Sequence, residues 1–233
     1  MSRQTPDPQA RTDLPAADGS RGALRWAMGL AAVGLLVIYQ SVETTPAAPR
    51  SANSSAAVAS ASPPPVVLPS PTGRTAPALP RSRPARLRIP QLFVEAPFTD
   101  LGLTPDGALA APSTTDRNLV GWWKDGPTPG ERGPAVVAGH VDTTTGPAVF
   151  LMLHVLLPGS SVEITREDGT VAVFSVDSVQ TFPKNAFPDR AVYGATSDAQ
   201  LRLITCAGEY DRKTHDYSDN VVVFAHLTSS RPA

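Results

Sequence analysis

Cysteine is almost missing from this chain: Cys206, in "LRLITCAGEYD" (201 to 211), is the only one in 233 residues. A single cysteine excludes an internal disulfide and any metal site built on paired cysteines. It leaves an intermolecular bridge, a passive small apolar residue, or a reactive thiol. An excess of charge is missing too, with 20 Lys and Arg against 21 Asp and Glu and a formal net charge of -1. Without a basic footprint, a nucleic-acid partner is excluded. There is no internal repeat and no HExxH, and helical periodicity is scarce.

Prolines are present but unevenly spread. Ten of the 25 fall in residues 43–85, a stretch rich in Pro, Ala, Ser and Thr without one aromatic side chain. Such a composition cannot bury enough apolar surface to offset the entropy of ordering, so a disordered linker is expected there. Fully extended as polyproline II, it would reach about 130 Å at about 3.1 Å per residue. Its "LPSPTG" (68 to 73) has one residue too many for an LPxTG wall-sorting signal and reads as low-complexity coincidence.

Before the linker, "WAMGLAAVGLLVIYQSV" (26 to 42) carries no charge. As a helix it would span about 25 Å, enough for a thin or locally adjusted bilayer. Arg11, Arg21 and Arg25 precede it and the next basic residue is Arg50. The positive-inside rule then keeps residues 1–25 as a cytoplasmic tail, makes 26–42 a transmembrane signal anchor, and places everything downstream outside a single-pass cell membrane. A cleaved signal peptide is the rival reading, with "AAVASAS" (56 to 62) as the small-residue site.

From Arg86 to Ser229 roughly 144 residues remain, which suits one domain. Short β-branched runs recur between Gly, Pro and Asp turns: "RLRI", "QLFVEAPF", "PAVVAG", "SVEIT", "TVAVFSVDSVQ", "LRLIT" and "NVVVFAHL". The pattern indicates an all-β barrel or sandwich. Asp168-Gly169 in "REDGT" marks a tight hairpin. Two short helical stretches are expected, at "GPAVFLMLHVL" (146 to 156) and "SDAQ" (197 to 200).

A nucleophilic thiol needs a base or a cation beside it, because an ordinary cysteine with a pKa of about 8.5 is mostly protonated at neutral pH. Of the four histidines, His140 ends "GPAVVAGHVD", where a buried strand gives way to a polar loop, the place where a sheet positions reactive groups. His154 lies in an apolar run, His215 in a polar loop, and His226 alternates with Val222 and Phe224; packing or solvation suits these three better than chemistry.

"GPAVVAGHVD", "LRLITCAGEYD" and "YSDNVVVFAHL", with the surrounding "GWWKDGPTPGERG", "FPKNAFPD" and "VYG", resemble the sortases, most closely the actinobacterial class E/F group and class F in particular. The resemblance covers nearly all of residues 86–228. It implies a closed eight-stranded β-barrel with one or two short helices, and a cysteine transpeptidase at the surface of a Gram-positive-type cell. Such an enzyme cleaves an LPxTG-like sorting signal between Thr and Gly and passes the acyl group to an amine of the cell-wall precursor, with no metal or organic cofactor.

Carried over by the resemblance, Cys206 is the nucleophile of a thioacyl intermediate and His140 is the acid/base. The family's third residue, an arginine near the start of the last strand, is missing: Ser218 stands in its place. Arg212, six residues after the cysteine, is the candidate for that role, with Arg202 second because even strand spacing puts it on the face of Cys206. Ala207 is another departure, where the family has "TCGG"; its methyl would narrow the pocket or stiffen the turn.

Other functions remain open at this stage. "HVD" could supply two ligands of a zinc hydrolase, with His140, Asp142 and a further histidine, but lacks supporting ligand spacing. An L,D-transpeptidase also uses exported Cys and His, though its "SHGC"-type spacing is absent. The lost arginine also allows a degenerate sortase-fold scaffold without catalysis.

Overall fold

A computed structural model of the chain describes residues 73–233. The tail 1–25, the apolar run 26–42 and most of the 43–85 stretch lie outside the described residues. Among those described, no helix is long and apolar enough to cross a membrane.

Eight strands close into a barrel: β1 (Pro84–Ile89), β2 (Val94–Leu101), β3 (Val120–Trp123), β4 (Gly133–Gly139), β7 (Ser161–Arg166), β8 (Thr170–Pro183), β9 (Ala199–Asp211) and β10 (Asp216–Pro232). Their order around the wall is β1-β2-β3-β4-β9-β10-β8-β7, and β7 returns to β1. A two-stranded sheet of β5 (Asp142–Thr143) and β6 (Gly146–Pro147) stands apart. The β2/β3 and β4/β9 pairs are parallel; the other barrel pairs are antiparallel.

The expected strands are all there, with β9 and β10 the most extended beyond "LRLIT" and "NVVVFAHL", and "VGWW" adds β3. Alternation fills the barrel. Val162 and Ile164, Ala172 and Phe174, Leu201 and Leu203, and Val221 and Val223 alternate along their strands into the main core. The Asp168-Gly169 hairpin joins β7 to β8, with Gly169 at φ 77°, a conformation glycine adopts without steric cost. The centres of β4, β9 and β10 are buried on both faces, because a second cluster of Val136, Val192, Ile204, Val222 and Phe224 covers the outer wall. Val192 belongs to the single described α-helix, α1 (Asp189–Tyr193).

Both helical expectations need correction. In 146–156 only Leu153–Val155 forms a 3-10 turn, and Gly146-Pro147 pairs with β5. Bonds to the third residue back, such as Leu153 N–H to the Phe150 carbonyl, wind this stretch more tightly than an α-helix. Ser197 and Asp198 form a bend, and Ala199 and Gln200 already open β9. Thr196 Oγ1 donates to the Asp198 carbonyl at 2.8 Å, a local side-chain bond that competes with helix.

Within the stretch expected as linker, residues 76–83 run along the barrel. Ala76 N–H bonds the Leu227 carbonyl and Leu79 N–H the Gly130 carbonyl, both at 2.8 Å. The buried Arg166 guanidinium donates to the Pro80 carbonyl at 2.5 Å and to Asp168 at 3.0 Å. Ala76 and Leu79 pack on the main core, and Pro84 and Ala85 are part of β1.

Candidate active site

The register of the parallel β4/β9 pair places the two reactive residues. Each β4 residue faces the one 66 positions later, as Gly133 faces Ala199 and Ala138 faces Ile204. Two residues beyond the last of these pairs are His140, just past the end of β4, and Cys206, inside β9, so the same register carries both to one end of the β4/β9 pairing. Side chains alternate between faces, so His140 shares the outer face with Val136 and Ala138, and Cys206 shares it with Ile204. Both line one cleft of about 1010 Å³. The β2–β3 connection closes one side with Leu109, Ala111 and Pro112, and Phe187 and Tyr193 close another.

Glycine is required at two points of this frame. A Cβ on Gly139, just before His140, would stand 2.6 Å from the Phe150 ring. Gly208, two residues past the cysteine, has φ 82°, and a Cβ there would meet Ser218 Oγ at 2.2 Å.

His140 Nε2 lies 2.8 Å from the buried Pro112 carbonyl. A carbonyl only accepts, so Nε2 carries the hydrogen and Nδ1 is the nitrogen left to exchange a proton. On the other side Lys184 Nζ donates to Cys206 Sγ at 3.7 Å and to Asp216 Oδ1 at 2.5 Å. Burial pushes the half-buried Cys206 thiol above its ordinary pKa; the Lys184 charge and hydrogen bond pull it back, while Asp216 and Asp142 push it further up. Tyr217 O–H donates to Asp142 at 2.6 Å, tying the loop after His140 to the start of β10. That bond, with some burial, pushes the Tyr217 phenol up to about 12.

Of the three residues named from the sequence, the structure brings Cys206 and His140 together and leaves Arg212 apart, in the exposed turn between β9 and β10 and not among those lining the cleft. Arg202 shares the face of Cys206 but faces Val136, two strand steps deeper. It is 2 % exposed, its guanidinium lies 4.6 Å over the Phe224 ring, and burial pulls its pKa down to about 10. Ser218 Oγ accepts the Glu209 N–H at 3.0 Å, fixing the bend at Gly208. Ala207 packs against the main core, so its methyl does not narrow the cleft. Among the described residues, no group of three or more His, Cys, Asp and Glu is arranged to hold a metal ion.

Sequence reasoning gave no role to Lys184, Asp216, Tyr217 or the Pro112 carbonyl. In the sequence Lys184 stands within "FPKNAFPD", where nothing beside it marks a reactive role.

The family model described as "Sortase domain" matches residues 87–228, well over half of the chain. The chain belongs to the sortase family. Solved sortase structures share its fold. The SrtA sortase of Actinomyces oris is 18% identical with TM-score 0.52, over 66% of this chain and 88% of that one. A lid mutant of sortase A from Corynebacterium diphtheriae is 18% identical with TM-score 0.50, over 65% and 73%. No curated protein matches with significance. Sortases are cysteine transpeptidases, and the thiol and imidazole lining this cleft are the groups such chemistry uses.

Proposed function

We propose that this sortase is a membrane-anchored transpeptidase of the class E/F type, that it works outside the cell membrane, and that it cleaves an LPxTG-like sorting signal and passes the carried protein to a cell-wall amine. The observation that carries the reading is the shared register of His140 and Cys206 at one cleft. Cys206 gives its thiol proton to His140 Nδ1 as Sγ attacks the Thr carbonyl carbon, and the C=O electron pair moves to oxygen. Collapse of this adduct breaks the C–N bond, and the leaving amine takes that proton from His140 Nδ1. In the second half the acceptor amine attacks the thioester, His140 takes a proton from it, and Sγ leaves as a thiolate that recovers the proton from His140. The apolar walls near Leu109, Phe187 and Tyr193 suit the Leu and Pro of such a signal. The loss of the family arginine supports a second reading, a scaffold without turnover. Arg212 remains the sequence's candidate for the third role, and it would have to reach the cleft by movement of its turn.

The test is cleavage of a sorting-peptide library by the full chain, with products read by mass spectrometry with and without an amine acceptor. C206A should abolish cleavage, and H140A should reduce it nearly as far. Undiminished cleavage by C206A removes the thiol from the mechanism. Iodoacetamide separates the scaffold reading: a nucleophile reacts in the folded protein and is protected by a substrate analogue, whereas a passive thiol reacts only on unfolding.

A further inference from the structure

A thiolate forming under an incoming carbonyl, and the oxyanion that follows, both need a positive partner. The residue at the family's arginine position, Ser218, is engaged with the Glu209 N–H. Arg202 is buried against Phe224, and Arg212 lies off the cleft. Among the residues lining the cleft, Lys184 is the one lysine or arginine, and its ammonium already touches the sulfur.

We propose that Lys184 is the catalytic cation of this sortase, held over Cys206 by Asp216 in place of the absent arginine. The proposal deepens the transpeptidase reading and rests on Cys206 being its nucleophile. The backbone around Lys184 is well placed for the task. Lys184 opens a 3-10 turn directly after Pro183, between Phe182 and Phe187, whose rings pack edge to face at 6.1 Å. The flanking aromatic rings anchor the turn, and the Asp216 carboxylate at 2.5 Å aims the flexible side chain.

An ammonium has three N–H donors. One is taken by Asp216 and one points at Sγ, which leaves a third for the cleft. An oxygen on the carbon that bonds Sγ comes within reach of the same nitrogen, so one cation serves the thiolate first and the oxyanion next. Lys184 transfers no proton in either step; it stays protonated and donates hydrogen bonds.

The charges around the sulfur make the role specific. It is faced by Lys184 from the 3-10 turn, Asp216 and Tyr217 from β10, Asp142 from β5 and His140 from the end of β4. Burial and the two carboxylates all oppose ionisation of the thiol, and Lys184 is the lysine that counters them.

The experiment compares full-length wild type, K184M and K184R by two readouts. One is the rate of Cys206 alkylation by iodoacetamide across pH, which needs no substrate. A unit charge at this distance contributes on the order of 1 kcal/mol even with the dielectric of water, so K184M should alkylate about fivefold or more slowly at neutral pH, with its profile displaced upward. K184R, which keeps the charge, should recover most of the rate. The second readout is peptide cleavage, where K184M should lose about tenfold or more in kcat with KM little changed, as when a contact made only in the transition state is removed. Circular dichroism checks that each variant is folded. A K184M alkylation profile that overlays wild type, or a K184R as slow as K184M, overturns the proposal. A wild type that cleaves no sorting peptide defeats the transpeptidase reading instead, while alkylation still decides the role of Lys184.

Discussion

The bend after the nucleophile gives a prediction whose size follows from the geometry. Gly208 has φ 82° and lies in a bulge of β9, where Gly208 and Glu209 stand opposite the single residue Ser218 of β10. Replacing Gly208 by Ala forces an L-residue into left-handed space, which costs roughly 1–2 kcal/mol. The new methyl would also stand 2.2 Å from Ser218 Oγ and 2.6 Å from Asp219 Oδ2. Relief requires Ser218 to turn away and give up the Glu209 N–H, a further loss of about 0.5–1.5 kcal/mol. The sum is about 1.5–3.5 kcal/mol, and for a domain of this size each kcal/mol lowers Tm by roughly 2–4 °C. Differential scanning calorimetry of G208A should therefore show a fall of about 3–14 °C. S218A removes the clashing oxygen and the same hydrogen bond, so G208A and S218A together should cost clearly less than the sum of the two alone. A G208A protein within 1 °C of wild type, or strict additivity with S218A, would refute this account of the bend. Alkylation of Cys206 should also change in G208A, since the bend lies two residues from the sulfur.

The remaining expectations are shorter. Phe150 is fully buried and its N–H bonds the His140 carbonyl at 3.0 Å, so F150A should lose about 3–5 kcal/mol in chemical denaturation and loosen His140, with cleavage falling in step. R202M should destabilise by roughly 1–3 kcal/mol by leaving Gln200 Oε1 without its donor, yet keep the wild-type alkylation profile of Cys206. The Tyr217 phenol is held up to about 12 in the folded protein against about 10 unfolded. The folded state therefore keeps that proton longer, and the stabilisation is full below about pH 10 and lost as pH rises toward 12. The raised Cys206 thiol acts in the same direction. Melting curves from pH 8 upward should thus fall less steeply for Y217F than for wild type, and equal slopes would contradict the bond to Asp142.

The barrel was legible where one face of a strand is wet and the other dry. "SVEITR" alternates strictly, and its burial does the same in β7. It was less legible where neither face is wet. "VGWW" has too few residues to show a period and sits between parallel and antiparallel partners as β3. The run "FLMLHVL" suggested a helix because apolar residues occur at nearly every position. The structure buries Phe150 and Leu153 and leaves Leu151, Met152 and Val155 exposed, a division that tight successive turns produce as readily as a helix. The docking of residues 76–83 was hidden for a different reason. Part of that segment's attachment is through its own backbone N–H and carbonyl groups, which every residue carries and no composition reveals, and the partners of its Arg81 and Arg83, Glu131 and Asp100, are distant in the chain.

The site divides along the same physical line. Cys206 and His140 could be named because each ends an apolar strand, and strand ends are visible as changes of composition. What brings them together is a parallel pairing between β4 and β9, strands separated by β5 to β8, and the offset of 66 has no meaning until that pairing is known. Lys184 is further from view. It leaves β8 after Pro183 and reaches the sulfur because β8 and β9 flank β10 in the wall, where Pro183 pairs with Asp219 and Cys206 with the next residue, Asn220. A lysine in "FPKNAFPD" looks like an ordinary solvated charge, and Asp216 looks like a hairpin residue. Their joint placement over a half-buried thiol follows from the closure of the barrel, so a missing arginine in the sequence need not mean a missing cation in the site.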